Sequence, residues 1–290
     1  MLITVFTPTF NRKEELYKLY KSLLVQSEKN FEWVIVDDGS EDNTEKIVEK
    51  WINDNLIQIK FLKVNNGGKH RAINIGVSNA KGEFFFIVDS DDYLEQHAIK
   101  KISNEVKKLP KNIKGVVGLK VFEDGTIVGK THKYDFLDCL YKDRKKHNII
   151  GDKAEIIRTD IMRKYKFPEI KNEKFISEGI VWNRMSFDGI KLRYINEKLY
   201  FCEYLESGLT SNIDTVYANN PIGYLLYIQE AKKQLDFFSN IKNEIAYSYR
   251  LSKAKYNLQQ IAKDLRKNVI IIYGYVLIGK IFSIYKRKLR

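Results

Sequence analysis

The chain has 290 residues, 44% of them hydrophobic and 30% charged, and its 50 Lys and Arg against 37 Asp and Glu leave a formal net charge of +13. That length supports one large core, or a catalytic unit with an appendage. The two cysteines, Cys139 and Cys202, stand too far apart in sequence to form a ligand cluster, and Leu2 to Phe6 lacks the basic flank and cleavage site of a signal peptide, so a cytosolic, reducing location is expected. An excess of positive charge is compatible with nucleic acid, anionic lipid or an acidic substrate as partner.

Residues 2–7, LITVFT, read as a buried strand that Pro8 stops, and Asn11 is a candidate cap for a helix from about Arg12 to Gln26. Phe31 to Val36 is a second apolar strand, ending in Asp37, Asp38, Gly39 and Ser40; Ser40 or Asp42 then caps a helix to about Trp51. Ile57 to Val64 makes a third strand, followed by the turn Asn65-Asn66-Gly67-Gly68 and a short helix over Lys69 to Ala80. Next comes GEFFFIVDSDDYL, Gly82 to Leu94, whose run Phe84 to Val88 reads as a strand buried on both faces and ends in Asp89, Ser90, Asp91 and Asp92. Aspartates one residue apart on the turn leaving such a strand can approach a hard divalent cation, which in turn can hold a diphosphate; the alternative is a surface turn whose acids cap the helix from Tyr93 through Lys108.

Four β-α repeats over the first 108 residues predict an α/β fold with a mostly parallel sheet and helices on both faces. No glycine-rich dinucleotide fingerprint follows the first strand, and no phosphate-binding loop ending in Gly-Lys-Ser/Thr occurs. Ligands of open α/β sheets bind at the carboxyl ends of the strands, which would gather Thr7, Asp37, Asp38, Asn66, Gly68, Lys69, Asp89 and Asp91 into a nucleotide-diphosphate site.

Further on, Gly115 to Gly129 reads as a hairpin turning at Asp124-Gly125 and continuing the sheet in antiparallel sense, and KYDFLDCLYK, residues 133–142, reads as a helix. A short strand at Glu155 to Arg158 precedes a short helix; Phe175 to Phe187 supports another helix with Glu178 at its front, and Leu192 to Ile195 and Leu199 to Tyr204 read as two strands. Residues 221–267 suggest two or three helices packed beside the sheet. After Asp264 there are seven basic residues and no acidic one, around the apolar run Val269 to Gly279. Eleven residues are too few to span a bilayer, so this segment is either a helix lying in an anionic membrane surface or one packed on the domain or on a second subunit, as in a homodimer.

TPTFNR at Thr7 to Arg12, VDDGSEDNT at Val36 to Thr44, NGGKHRAIN at Asn66 to Asn74 and VDSDD at Val88 to Asp92 resemble the successive motifs of family 2 of the inverting glycosyltransferases, of the bacterial surface-polysaccharide type. The resemblance covers about residues 2–210 and implies a GT-A fold: a catalytic domain over 1–210, with a nucleotide-sugar half to about 110 and an acceptor half to 210, and a helical C-terminal region over 211–290 with a basic, membrane-associating tail. It implies transfer from a nucleotide-sugar, with UDP preferred over dTDP or GDP, to a saccharide acceptor carried on a lipid, in capsule, O-antigen or related synthesis, by an enzyme on the inner face of the cell membrane. Thr7, Pro8, Thr9 and Arg12 would line the base side of the donor pocket, Asp37 and Asp38 would contact uracil or ribose, and Asn66, Gly68 and Lys69 would meet the base or phosphates. Asp89-Ser90-Asp91 resembles the D-x-D motif, with Asp91 and Asp89 holding Mn2+ or Mg2+, while Asp92 supports donor sugar and acceptor or caps a helix.

Many members carry the catalytic base as the Asp of a Glu-Asp pair, whereas here Gly179 follows Glu178. Glu178 is then the candidate base or the cap of its helix, with Asp188, Glu173 and Glu203 as substitutes. A nucleotidyltransferase would need a glycine-rich basic signature after the first strand, which Pro8-Thr9-Phe10 does not supply. A nucleic-acid binder is disfavoured because acid-ended strands repel phosphates and the basic residues gather beyond the catalytic unit.

Overall fold

The computed structural model describes residues 3–202 and 212–288. Two units divide the chain, one of residues 1–168 with 184–203 and the other of 169–183 with 204–290.

In the first unit, strand β1 (Ile3–Thr9) leads to helix α1 (Lys13–Leu24), β2 (Phe31–Asp37), α2 (Thr44–Asp54), β3 (Ile59–Lys63), α3 (Lys69–Asn79), β4 (Phe84–Ile87), the two-residue β5 (Tyr93–Leu94) and α4 (Ala98–Val106). The strands β6 (Ile113–Val121), β7 (Phe136–Leu140) and β8 (Lys153–Arg158), the helix α5 (Thr159–Lys164), and β9 (Lys191–Phe201) complete it; the helix α6 (Gly179–Phe187) contains the division between units. The sheet runs β3-β2-β1-β4-β8-β6-β9-β5, with β7 also paired to β9. Its first four strands are parallel, as the β-α repeats predict, and the remainder is mixed.

Alternation along β1 explains the two layers of helices. Ile3 and Val5 join Leu16, Leu19, Trp33, Val48 and Trp51 in one fully or nearly fully buried cluster, where Tyr20 stacks on Trp51 with ring centroids 4.2 Å apart. Phe6 points the other way, stacks on Phe85 at 5.0 Å, and meets α3 at Gly76, where a Cβ would run into its ring. Glu32 is buried with a purpose: its Oε1 accepts from the Thr4 hydroxyl at 2.6 Å and the Lys81 amide at 2.6 Å, tying the turn before β4 to β1 and β2.

Several local expectations change. Residues 136–140 form β7 rather than part of a helix, because β9 offers its ladder there and the Arg193 guanidinium grips Asp138 at 2.8 and 2.7 Å while lying 4.0 Å over the Phe136 ring. The turn at Asp124-Gly125 forms, with the Phe122 amide bonded to the Thr126 carbonyl at 2.9 Å, but its return arm is reduced to a single bridge at Ile127. The antiparallel partner of β6 is instead β8, which inserts between β6 and β4. The two strands read in 192–204 are one strand, β9, whose register with β6 shifts along its length; the expected ending at Glu203 and Tyr204 lies outside the described residues.

The second unit contains α7 (Ile213–Asn219), α8 (Pro221–Lys232), α9 (Phe237–Lys253), α10 (Leu258–Leu265) and α11 (Val269–Lys288). Tyr224, Ile228, Tyr247, Leu251, Ile261, Ala262 and Ile272 form its core. No helix among the described residues is long and apolar enough to cross a membrane.

Gly76→Ala should lower the denaturant midpoint by an amount worth about 1–3 kcal/mol without changing the slope, because Phe6 has no room to yield. Gly274→Ala in α11, where a Cβ meets nothing within 4 Å, should leave the midpoint unchanged or raise it by up to about 1 kcal/mol.

Candidate active site

The β1–β4 ladder extends one residue past β4, where the Val88 amide donates to the Phe6 carbonyl at 2.8 Å, and the chain then turns so that the Asp92 amide reaches the Asp89 carbonyl at 3.2 Å. Three carboxylates therefore leave one buried strand within four residues, Asp89 to Asp92, and each has a partner. Lys69, the first residue of α3, places Nζ 2.5 Å from Asp89 Oδ1, and Lys120 of β6 places its Nζ 3.9 Å from Asp89 Oδ2. Arg12, just ahead of α1, pairs with Asp91. Asp92 is bonded to the Tyr200 hydroxyl, which also accepts the Asp89 amide at 2.8 Å.

Charge and burial compete here. Burial pushes the Asp89 carboxyl up, but Lys69, Lys120 and Arg12 outweigh it and hold the group well below the usual carboxylate range. Asp92 goes the other way: burial, and then the neighbouring Asp89 charge, push it up, so it keeps a proton more readily than an exposed aspartate. Burial disfavours the Lys120 ammonium, yet Asp89 and Asp92 overcome that and raise its pKa, keeping it charged. The Tyr200 hydroxyl is pushed well above its ordinary value by burial and by the two acids.

The second pair of acids is built differently. Asp38 Oδ1 accepts the Gly67 amide at 2.7 Å, and Oδ2 accepts the Gly68 amide at 2.8 Å and the Asn66 side-chain amide at 3.2 Å. Asn66 also donates to the Asp38 carbonyl at 2.9 Å, so this turn is clamped to the end of β2. Gly68 has φ +96°, a backbone state that only glycine adopts freely, and it aims Lys69 into the site at the start of α3. Asp37 is fully buried; Oδ1 accepts the Ser40 amide at 2.9 Å, and Oδ2 has no hydrogen-bond partner among the described residues. Pro8 is buried in β1, Thr7 is fully buried with its hydroxyl accepting from Trp33 Nε1 at 2.9 Å, and the Thr9 hydroxyl is buried with no partner among the described residues. Ser90 is buried as well. Asn11 does not cap α1: it has φ +50° and its Oδ1 accepts the Glu41 amide, while Asp42 reaches across to the Lys13 amide at 2.9 Å.

Asp89 and Asp91 offer hard oxygen ligands of the kind Mg2+ and Mn2+ take. No group of three or more His, Cys, Asp or Glu suited to a metal occurs among the described residues.

Glu178 lies in the second unit and opens α6, its carbonyl accepting the amides of Val181 at 3.0 Å and Trp182 at 3.3 Å. A Cβ on Gly179 would come within 2.8 Å of the Tyr227 ring, so the residue after Glu178 is small because a tyrosine of α8 occupies the space a side chain would need. Of the substitute acids, Glu173 is committed to the start of α8, accepting the amides of Ile222 at 2.8 Å and Gly223 at 2.7 Å, and Asp188 accepts the Tyr165 hydroxyl at 2.7 Å. Glu203 lies outside the described residues. Lys120, Tyr200 and Tyr227 escape a sequence reading; the one available signal was a lysine inside the apolar run Val116 to Val121.

Asp38→Ala removes the acceptors of the Gly67 and Gly68 amides. Hydrogen exchange over residues 66–70 should accelerate by about tenfold or more while β2 keeps its protection.

Comparison with known proteins places these features in a family. The Staphylococcus aureus poly(ribitol-phosphate) beta-N-acetylglucosaminyltransferase TarS is 38% identical over 102 residues, 34% of this chain and 18% of TarS. The S. aureus poly(ribitol-phosphate) beta-N-acetylglucosaminyltransferase TarP is 26% identical over 224 residues, 74% of this chain and 61% of TarP. The chain thus spans less than two thirds of the length of either relative. In fold it matches the crystal structure of S. aureus TarS 1-349 in complex with UDP-GlcNAc, with TM-score 0.63 and 22% identity over 86% of this chain and 72% of that one. It also matches the Pyrobaculum calidifontis mannosyltransferase PcManGT in complex with GDP-Man and Mn2+, with TM-score 0.56 and 16% identity over 98% of this chain and 81% of that one. The model of the family described as glycosyl transferase family 2 matches residues 4–178, more than half of the sequence and all four motifs at the strand ends, and the chain belongs to that family.

Proposed function

We propose that this glycosyltransferase moves a sugar from a UDP-sugar to a hydroxyl of a saccharide acceptor carried on a lipid, with inversion at the anomeric carbon, in the synthesis of a capsule, an O-antigen or a related surface polysaccharide. The observation that carries the donor side of this reading is the meeting of Asp37, Asp38, the Asn66–Lys69 turn and Asp89–Asp92 at one end of β1, β2 and β4, with Lys69 paired to Asp89. UDP-N-acetylglucosamine is the first donor to test, because TarS was crystallised with it.

In this reading the Thr7-Pro8-Thr9 strand end and Arg12 border the base, and Asp37 and Asp38 meet uracil or ribose. Asn66 and Gly68 shape the turn so that Lys69 faces the phosphates, while Asp89, Ser90 and Asp91 form the turn at which Asp91 and Asp89 would hold Mn2+ or Mg2+. A cation bound there would offset the negative charge of the departing diphosphate. Asp92, bonded to Tyr200, supports the sugar side of the site. Glu178 takes the proton of the acceptor hydroxyl as that oxygen forms its bond to the anomeric carbon and the bond to the diphosphate breaks. Support for Glu178 comes from its place ahead of α6.

The C-terminal helix completes the proposal. Ile270, Tyr273, Leu277, Ile281 and Ile284 of α11 recur every three or four residues and are 45–75% exposed, and Phe282 and Tyr285 widen the stripe. Arg266, Lys267 and Lys280 bracket or interrupt it, and the sequence closes in Lys286, Arg287, Lys288 and Arg290. An apolar face followed by a run of basic residues matches an anionic lipid surface, which would place the enzyme on the inner face of the membrane, lying on it rather than crossing it.

UDP release from UDP-N-acetylglucosamine should depend on Mn2+ or Mg2+ and increase when lipid-linked oligosaccharides are added. Glu178→Gln should cut transfer by about 100-fold or more while leaving UDP affinity unchanged; near-normal transfer would remove Glu178 as the base. In sedimentation with phosphatidylglycerol vesicles, the double substitution Ile281→Asp and Phe282→Asp should abolish binding. Unchanged vesicle binding, or loss of a dimer instead, would reject the lipid reading.

A further inference from the structure

We infer that Lys120 is a positioning residue of the donor site: set against the Tyr200 ring, it places a positive charge beside the Asp89 carboxylate and so sets how strongly the acid turn takes up a divalent cation. The inference rests on the donor-site reading above and assigns a residue that no motif of the sequence marks.

Three cations face the acids, and they are not equivalent. The side chains of Arg12 and Lys69 are 23% and 27% exposed and spring from the rim, at the residue before α1 and at the first residue of α3. Long side chains so placed can leave their carboxylates for an arriving diphosphate or cation. Lys120 has no such freedom. It lies opposite Tyr200 in the β6–β9 register, its Nζ sits 4.2 Å from the centroid of that fully buried ring, and its side chain is 15% exposed. The ring and the charge favour each other, since the electron-rich face of a tyrosine attracts an ammonium.

The same tyrosine carries the other half of the device. Its hydroxyl accepts the Asp89 amide at 2.8 Å and bonds to Asp92. Asp89 is therefore fixed at its backbone by Tyr200. Lys69 makes the direct contact with its carboxylate at 2.5 Å, while the Lys120 Nζ stands 3.9 Å from Oδ2, beyond hydrogen-bond reach but close enough for its charge to act. A unit positive charge this close repels a divalent ion approaching the same carboxylate, and low exposure limits the screening that water and salt provide. Without it, the acids would attract a cation more strongly before nucleotide arrives. With it, tight binding requires the added negative charge of the diphosphate.

The test is a titration of Mn2+ alone, followed by the electron paramagnetic resonance signal of the free ion, on the full chain. Lys120→Met should bind Mn2+ about tenfold more tightly than the wild type, and Lys120→Arg, which keeps the charge, should stay within about twofold of it. If Lys120→Met does not fold, Lys120→Gln carries the same expectation. An affinity that is unchanged or weaker in the neutral variant overturns the inference, since a merely structural lysine would give that result. So does a Lys120→Arg protein that behaves like Lys120→Met. A wild-type protein that takes up no Mn2+, with or without UDP, overturns the metal reading as well, whereas normal wild-type uptake with an unresponsive Lys120→Met defeats this inference alone.

Discussion

Carboxylates at the end of a strand with no exposed face must be compensated, and the architecture at this end of the sheet follows from that constraint. Asp89, Asp91 and Asp92 emerge together from β4, and the surrounding elements each bring a group to them: Arg12 from the turn after β1, Lys69 from α3, Lys120 from β6 and the Tyr200 hydroxyl from β9. Three cations face Asp89 and Asp91, and Asp92, which burial and the Asp89 charge incline to keep its proton, adds less negative charge than an exposed aspartate would.

Asp38 extends the same logic to backbone. Two amides and an Asn side chain converge on one carboxylate, so the turn before α3 is held by charge-assisted bonds rather than by apolar packing, of which a Gly-Gly turn has little. The second unit uses an acid in the same way, with Glu173 bonded to the first amides of α8. Near Glu178, the Tyr227 ring stands where a side chain at position 179 would have to go. The space for a second acidic side chain is filled by α8.

Legibility in the sequence varied with the range of the forces involved. The acid-ended strands, the Asn-Gly-Gly turn and the helices between them follow from apolar runs and turn residues a few positions apart, and all appear close to their expected bounds. Residues 133–142 misled because Phe136–Leu140 has no strong period of its own and takes its strand form from β9, some fifty residues later. The hairpin expected after β6 failed as a hairpin for a related reason: β8 supplies a longer ladder than residues 126–129 can. Lys120 was visible only as a lysine in an apolar strand, a pattern that also fits an edge position or a snorkelling side chain.

By itself, the sequence determined that a parallel β-α unit ends in clustered acids and that those acids, with the Asn66–Lys69 turn, belong to one sheet edge; these are consequences of local periodicity and of the right-handed crossover. It also placed Glu178 at the front of a helix. Only the tertiary structure decided which cation serves which carboxylate, that β8 enters between β4 and β6, and that Tyr200 grips Asp89 from the far side of the sheet. The physical reason is separation along the chain: a side chain's counter-charge is chosen by proximity in space, and residues 89, 120 and 200 become neighbours only when β4, β8, β6 and β9 have closed into one sheet.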